Sequence, residues 1–146
     1  VRHHRAGCDR TELPWFILGQ DGLHRLDPAS YALTDREFEL GWADCWTLVR
    51  DWAGASWPEF PRVWGQVEGL FDAHMREMGW VEVPIVDAAA GDVLLMRIRG
   101  SATNHAAAYL GEGRIMHHQV GMLSGVDQLG PFLDKITHVF RRPDAR

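Results

Sequence analysis

Apolar positions recur along this chain in two periods, and the change from one to the other divides it. Leu48, Val49 and Trp52 follow Cys45 at three, four and seven residues, while Arg50 and Asp51 fall on the opposite side. The spacing predicts an amphipathic helix with one buried face, and Asp44 precedes it as the candidate N-cap. Beyond Pro58 and Pro61, the residues Val63, Val67, Leu70, Phe71, His74, Met75 and Met78 keep a helical interval as far as Gly79. They predict a second, longer helix, with His74 as a core or boundary residue. From Gly91-Asp92 the period shortens. Residues 93–98 are an apolar run that reads as a buried strand, and residues 104–110 and 114–118, parted by Gly111-Glu112-Gly113, read as a hairpin. Residues 121–130 read as a turn-rich loop, 131–135 as a short helical turn, and 136–142 as a closing strand that puts His138 on one face with Ile136 and Phe140. Helices first and antiparallel strands after make an α+β layout, with the helices packed on a sheet of about four to six strands.

Composition narrows the class. The 146 residues, 46% hydrophobic and 24% charged, suit one domain with a sizeable core. A net charge of −5 with dispersed arginines offers no basic face for phosphates, so nucleic acid is not an expected partner. No apolar stretch reaches the roughly 18 to 20 residues of a membrane span, and no charged start with an apolar core reads as a signal peptide. Two cysteines, Cys8 and Cys45, make no disulfide framework. His3, His4 and Cys8 lack a second ligand pair at a useful spacing, so neither a metal nor a cofactor is expected. Five of the seven tryptophans lie at positions 42, 46, 52, 57 and 64, where they either fill a core around a helix pair or stack on sugars. Trp42 and Trp46, flanking Cys45, are the candidates to line a cleft.

The candidate chemistry starts at Cys45. A cysteine just inside a helix start feels unpaired backbone N–H groups and the positive end of the macrodipole, which favour the thiolate. The bland reading is a small buried hydrophobe. Histidines downstream tilt the balance. Alternation puts His105, Ala107 and Tyr109 on one face of the first hairpin strand, and His117 is placed across from His105, with His118 pointing the other way. An imidazole beside a thiol accepts its proton and later donates it to a leaving amine, and a third polar group fixes the tautomer.

The segments "GWADCWTLVRDW", "AGDVLLM" and "NHAAAYLGEGRIMHH", followed by Leu123-Ser124, resemble in order and spacing the NlpC-type, papain-like cysteine peptidases of the cell wall, over about residues 31–142. Within that family the likeness is to the C-terminal domain of lambda-type phage tail tip assembly proteins. The resemblance implies a papain-like fold, with Cys45 as nucleophile, His105 as general base and His117 as the orienting third member. Trp42, Asp44, Trp46 and Asn104 are the expected substrate-binding residues. It also implies an endopeptidase cutting peptidoglycan stem peptides, commonly between D-glutamate and diaminopimelate, with tail tip proteins as partners. The protein would then reside in the host cytoplasm during assembly and in the virion tail afterwards. A catalytically idle assembly component and a papain-like acyl or amide transferase are the alternatives. Two positions depart from the family. Phe38-Glu39-Leu40-Gly41 stands where many members have Tyr-x-x-Gly, and phenylalanine cannot donate a hydrogen bond. Tyr31 replaces that tyrosine only if the preceding loop folds back; otherwise backbone N–H groups near Cys45 must serve. The second is Trp46, where cell-wall members often carry serine and tail proteins resemble the present chain. Residues 1–30 have a different texture, and "AGCDRTELPWFIL" is similar to the last helix and strand of a JAB-type zinc isopeptidase domain whose zinc-binding residues are absent here. They are expected to be a remnant or linker, with the peptidase domain over 31–146.

Overall fold

The helix that carries Cys45 begins where its cap dictates. In the structure, a computed structural model describing residues 15–19, 22–26, 32–54, 57, 60–62 and 69–143, helix α1 is Cys45–Ala53 and Asp44 is its N-cap. Asp44 Oδ1 accepts the backbone N–H of Thr47 at 3.0 Å, and Thr47 Oγ1 accepts the N–H of Asp44 at 2.8 Å. This reciprocal box satisfies two donors that a helix start leaves bare. Gly54, at φ 61°, closes the other end in the left-handed conformation that glycine tolerates best. Helix α2 is Leu70–Glu77, shorter than its periodicity predicts. Gly69 at φ 70° caps its start, while Val63 and Val67 lie outside the described residues.

After a two-stranded hairpin of β1 (Trp15–Gly19) and β2 (Gly22–Leu26), the remaining strands are β3 (Val81–Val83), β4 (Val93–Met96), β5 (His105–Gly111), β6 (Arg114–His117), β7 (Gly125–Gln128) and β8 (Ile136–Arg141). These six make one antiparallel sheet in the order β3-β8-β4-β5-β6-β7, at the upper end of the expected size. All four side chains of β4 are buried because both faces of the sheet are covered. On one face Val93, Leu95, Ala106 and Phe140 meet Trp46, Val49, Phe71 and Met75 of the two helices. On the other, Leu94, Met96, Ala107, Ile115 and Val139 meet Leu129 and Phe132. The alanines that let α1 approach are therefore Ala106 and Ala108, on the face opposite His105 and Ala107.

Two elements differ from the sequence reading. The segment read as a loop over 121–130 contains β7, an exposed edge strand paired with β6. In β8 the register slips at Thr137, so Leu95 pairs with His138 and Met96 with Ile136. This bulge turns Ile136 onto the second face, away from His138 and Phe140, whose rings stack on each other. Among the described residues no helix is long and apolar enough to cross a membrane.

Candidate active site

Cys45, His105 and His118 line one cavity of about 490 Å³, together with Phe38, Asp44 and Asn104. Cys45 arrives from α1 and His105 is the first residue of β5. By alternation the imidazole belongs to the face away from the helices, and at the first residue of its strand it lines the same cavity as the thiol. The backbone N–H of the next residue, Ala106, points at the Cys45 sulfur, as does that of Trp46.

Behind His105 runs a relay across three strands. His105 Nε2 lies 3.0 Å from His117 Nδ1, and His117 Nε2 lies 2.8 Å from Asp127 Oδ2. The sheet register produces this diagonal: Ala107 pairs with His117 and Ile115 with Asp127, so His105, His117 and Asp127 share one face. Phe132 packs edge-on against the His117 ring at 5.0 Å. Direction follows from chemistry. An ionised carboxylate can only accept, so His117 carries its proton on Nε2 and presents a bare Nδ1. His105 must then donate from Nε2, which leaves its Nδ1 unprotonated. Asp127 was not among the sequence candidates, because its strand carries a single apolar residue, Val126, and shows no buried face.

Burial sets the charge state. It pushes the Cys45 thiol up to about 12, and the Asp44 carboxylate adds to the rise, outweighing the N–H groups of Ala106 and Trp46. Desolvation lowers His105 to about 3, with His117 and His118 adding to the fall. The resting site is a neutral thiol and a neutral imidazole lining one cavity. The thiolate expected from the helix start is not the ground state, since burial outweighs the macrodipole and the Asp44 carboxylate beside the sulfur adds to the rise.

The remaining candidates divide. Asp44 lines the cavity, but its carboxylate is occupied by Thr47, by the Gly41 N–H at 2.7 Å and by Arg62 Nε at 2.6 Å in a fully buried ion pair. Asn104 also lines it, while its side chain pins the 98–104 loop through the Ile98 N–H at 3.0 Å and the Arg99 carbonyl. Trp46 does not reach the cavity. It has no exposed surface, stacking on Phe71 at 5.0 Å with Trp57 and Phe60 around it, and Trp42 is half-buried outside the cavity wall. Phe38 sits in the wall, and Tyr31 lies outside the described residues. Ser124 fastens the segment before α1 to the loop before β7, accepting from the Arg36 N–H at 2.8 Å and donating to the Leu33 carbonyl at 2.9 Å. His74 stacks on Phe60 at 4.1 Å, a boundary residue away from the relay.

A family model described as the NlpC/P60 family matches residues 32–142. The chain belongs to the NlpC/P60 family. Two relatives share more than that segment. The tail tip assembly protein K of Escherichia phage lambda is 34% identical over 142 residues, covering 93% of this chain and 71% of the relative. Its counterpart in Escherichia phage N15 is 27% identical over 154 residues, covering 97% of this chain and 63% of the relative. Among solved structures, an NLP/P60-family protein similar to a lipoprotein, from Staphylococcus aureus, superimposes with a TM-score of 0.52 at 23% identity. That match covers 75% of this NlpC/P60 chain and 37% of the other, and it shows the shared α+β papain-like fold.

Proposed function

We propose that this NlpC/P60 chain is a phage tail-tip cysteine peptidase that hydrolyses peptide bonds in peptidoglycan stem peptides, between D-glutamate and diaminopimelate, during tail assembly or wall penetration. One observation carries the reading: a thiol and an imidazole share a cavity, and the imidazole is oriented from behind by His117 and Asp127. The similarity to two tail tip assembly proteins supplies the phage setting, with tail tip proteins as partners and the virion tail as its place.

In this mechanism Cys45, His105 and His117 are the catalytic group. A peptide carbonyl enters beside Cys45, and His105 Nδ1 takes the thiol proton as sulfur attacks carbon. Positive charge that develops on His105 is stabilised through His117 by Asp127. When the intermediate collapses, His105 returns the proton to the departing amine nitrogen, leaving a thioester on Cys45. Water, deprotonated by His105, then cleaves the thioester and releases the acid. Asp44 and Asn104 shape the wall against which the peptide lies.

The competing reading is a catalytically idle tail component, which draws on Phe38 and on a thiol held protonated by burial. Mass analysis of wall fragments digested by the purified protein separates the two. The peptidase reading expects new fragments ending at one stem-peptide bond, absent with Cys45→Ala. The idle reading expects identical fragment patterns from both.

A further inference from the structure

Among the described residues, three with charged side chains line the cavity that holds Cys45 and His105: Asp44, Arg62 and Arg99. Two of them cancel. Arg62 Nε lies 2.6 Å from Asp44 Oδ2, and each side chain of that pair is only 1% exposed. Arg99 is different: it is exposed, and its guanidinium makes no hydrogen bond, ion pair or ring contact with any described residue. With His105 and His118 held neutral by burial, this wall carries one uncompensated charge, and it is positive. The chain as a whole carries −5, so the sign is not the average of its surface.

The loop that carries Arg99 is fastened although the guanidinium is not. It joins β4 to β5, and the Asn104 N–H closes its base on the Met96 carbonyl at 2.9 Å. The Asn104 side chain then spans the loop, accepting from the Ile98 N–H at 3.0 Å and donating to the carbonyl of Arg99 itself. Thr103 Oγ1, 2.8 Å from Thr137 Oγ1, ties the same loop to β8. The backbone of Arg99 is thereby fixed at the cavity while its long side chain stays available. A fixed anchor with an unspent, permanently charged fork suits an anion, and a planar carboxylate takes such a fork with two parallel hydrogen bonds.

We propose that Arg99 is a specificity-determining residue of this site, its guanidinium binding a free carboxylate of the substrate peptide next to the scissile amide. The proposal rests on the peptidase reading above. The substrate class supplies two such groups. Glutamate that has given one carboxyl to the scissile amide keeps the other, and diaminopimelate keeps one carboxyl after its second joins the following residue. Each is an anion at neutral pH, and a positive wall draws it in and sets the register of the peptide across Cys45. Because Arg99 is exposed, water screens the contact, and its effect is a preference of about tenfold, smaller than that of a buried pair.

The test uses three synthetic stem tetrapeptides with wild type, Arg99→Gln and Arg99→Lys. One peptide has both of these carboxylates free, one is amidated on the glutamyl carboxylate, and one on that of diaminopimelate. Arg99 is exposed, so neither substitution endangers the fold. Wild type should cleave the free acid with a kcat/KM about tenfold above one of the two amides, mostly through KM, and the amide that is penalised identifies the carboxylate. Arg99→Gln should bring the free acid down to the level of that amide. Arg99→Lys, which keeps the charge without the fork, should retain part of the preference. Equal cleavage of all three peptides by wild type, or a preference that Arg99→Gln preserves, overturns the role of Arg99 and leaves the peptidase reading standing. Should wild type cleave no more than Cys45→Ala, the peptidase reading falls, and the dissociation constants of the same peptides decide for Arg99. Binding that favours the free acid about tenfold and loses that preference in Arg99→Gln upholds the carboxylate site, and equal binding overturns it.

Discussion

Asp127 reaches across from the edge strand to His117, with Oδ2 2.8 Å from Nε2, and this one hydrogen bond orders the protons of the whole relay. Because Asp127 is more than half exposed, at 59% side-chain exposure, its pairing adds little to stability. Its effect is to fix which nitrogen of His117, and through it of His105, is bare. Asp127→Asn should therefore lower kcat by roughly 10- to 100-fold and change stability by less than about 0.5 kcal/mol. Turnover of a stem peptide and a urea titration on the same preparation check both. A variant with full turnover would remove Asp127 from the relay.

Thiol chemistry gives a second expectation. A Cys45 thiol raised to about 12 is protonated at pH 7, so iodoacetamide should label it more slowly than it labels free glutathione. The rate should still be climbing at pH 9. A fast reaction at pH 7 with a plateau by pH 8 would show a preformed thiolate and contradict the neutral resting pair.

Two buried histidines predict acid sensitivity, and the sign follows from their direction. His105 is lowered to about 3 and His118 to about 4, while both ordinarily titrate near 6.5. Between about pH 6.5 and 4 the unfolded chain binds protons that the folded chain refuses, so stability present above pH 6.5 is lost as pH falls. The urea midpoint should drop across that window, and His118→Phe should flatten the drop. A midpoint constant from pH 7 to 4.5 would contradict the burial of both rings as neutral species.

Trp46 should matter to the core and not to the cavity. Trp46→Ala removes the ring stacked on Phe71 and should cost about 3 to 5 kcal/mol by chemical denaturation. Cys45→Ala, one residue away in the same core cluster, should cost far less, because it removes one sulfur atom where Trp46→Ala removes a whole indole. Equal stability of Trp46→Ala and wild type would place that ring outside the core.

What the sequence made legible follows from which signals survive projection onto one dimension. Helix α1 was readable because Leu48, Val49 and Trp52 mark one face and Asp44 marks the start. The hairpin of β5 and β6 was readable because Gly111, Glu112 and Gly113 all take positive φ, which the two glycines make cheap. Trp46 was misplaced because the first turn of α1 is enclosed all round: residues 45 to 49 are all buried, a pattern that a one-sided period cannot express. Strand β7 stayed hidden because an exposed edge strand needs no apolar alternation, and Asp127 was hidden with it. The bulge at Thr137 reversed Ile136, a one-residue slip that hydrophobicity does not record. The thiol's direction was missed for a different reason. The helix start was visible in sequence, but the depth of burial that outweighs it was not.

The most direct measurement is the cleavage rate of a stem tetrapeptide by wild type, Cys45→Ala, His105→Ala and the double variant, each verified as folded. A nucleophile and its base act as one unit, so each single variant should lose at least about a thousandfold and the double variant scarcely more than either. Cleavage by Cys45→Ala at the wild-type rate, or losses that multiply in the double variant, would contradict the pairing of Cys45 with His105 on which the account stands.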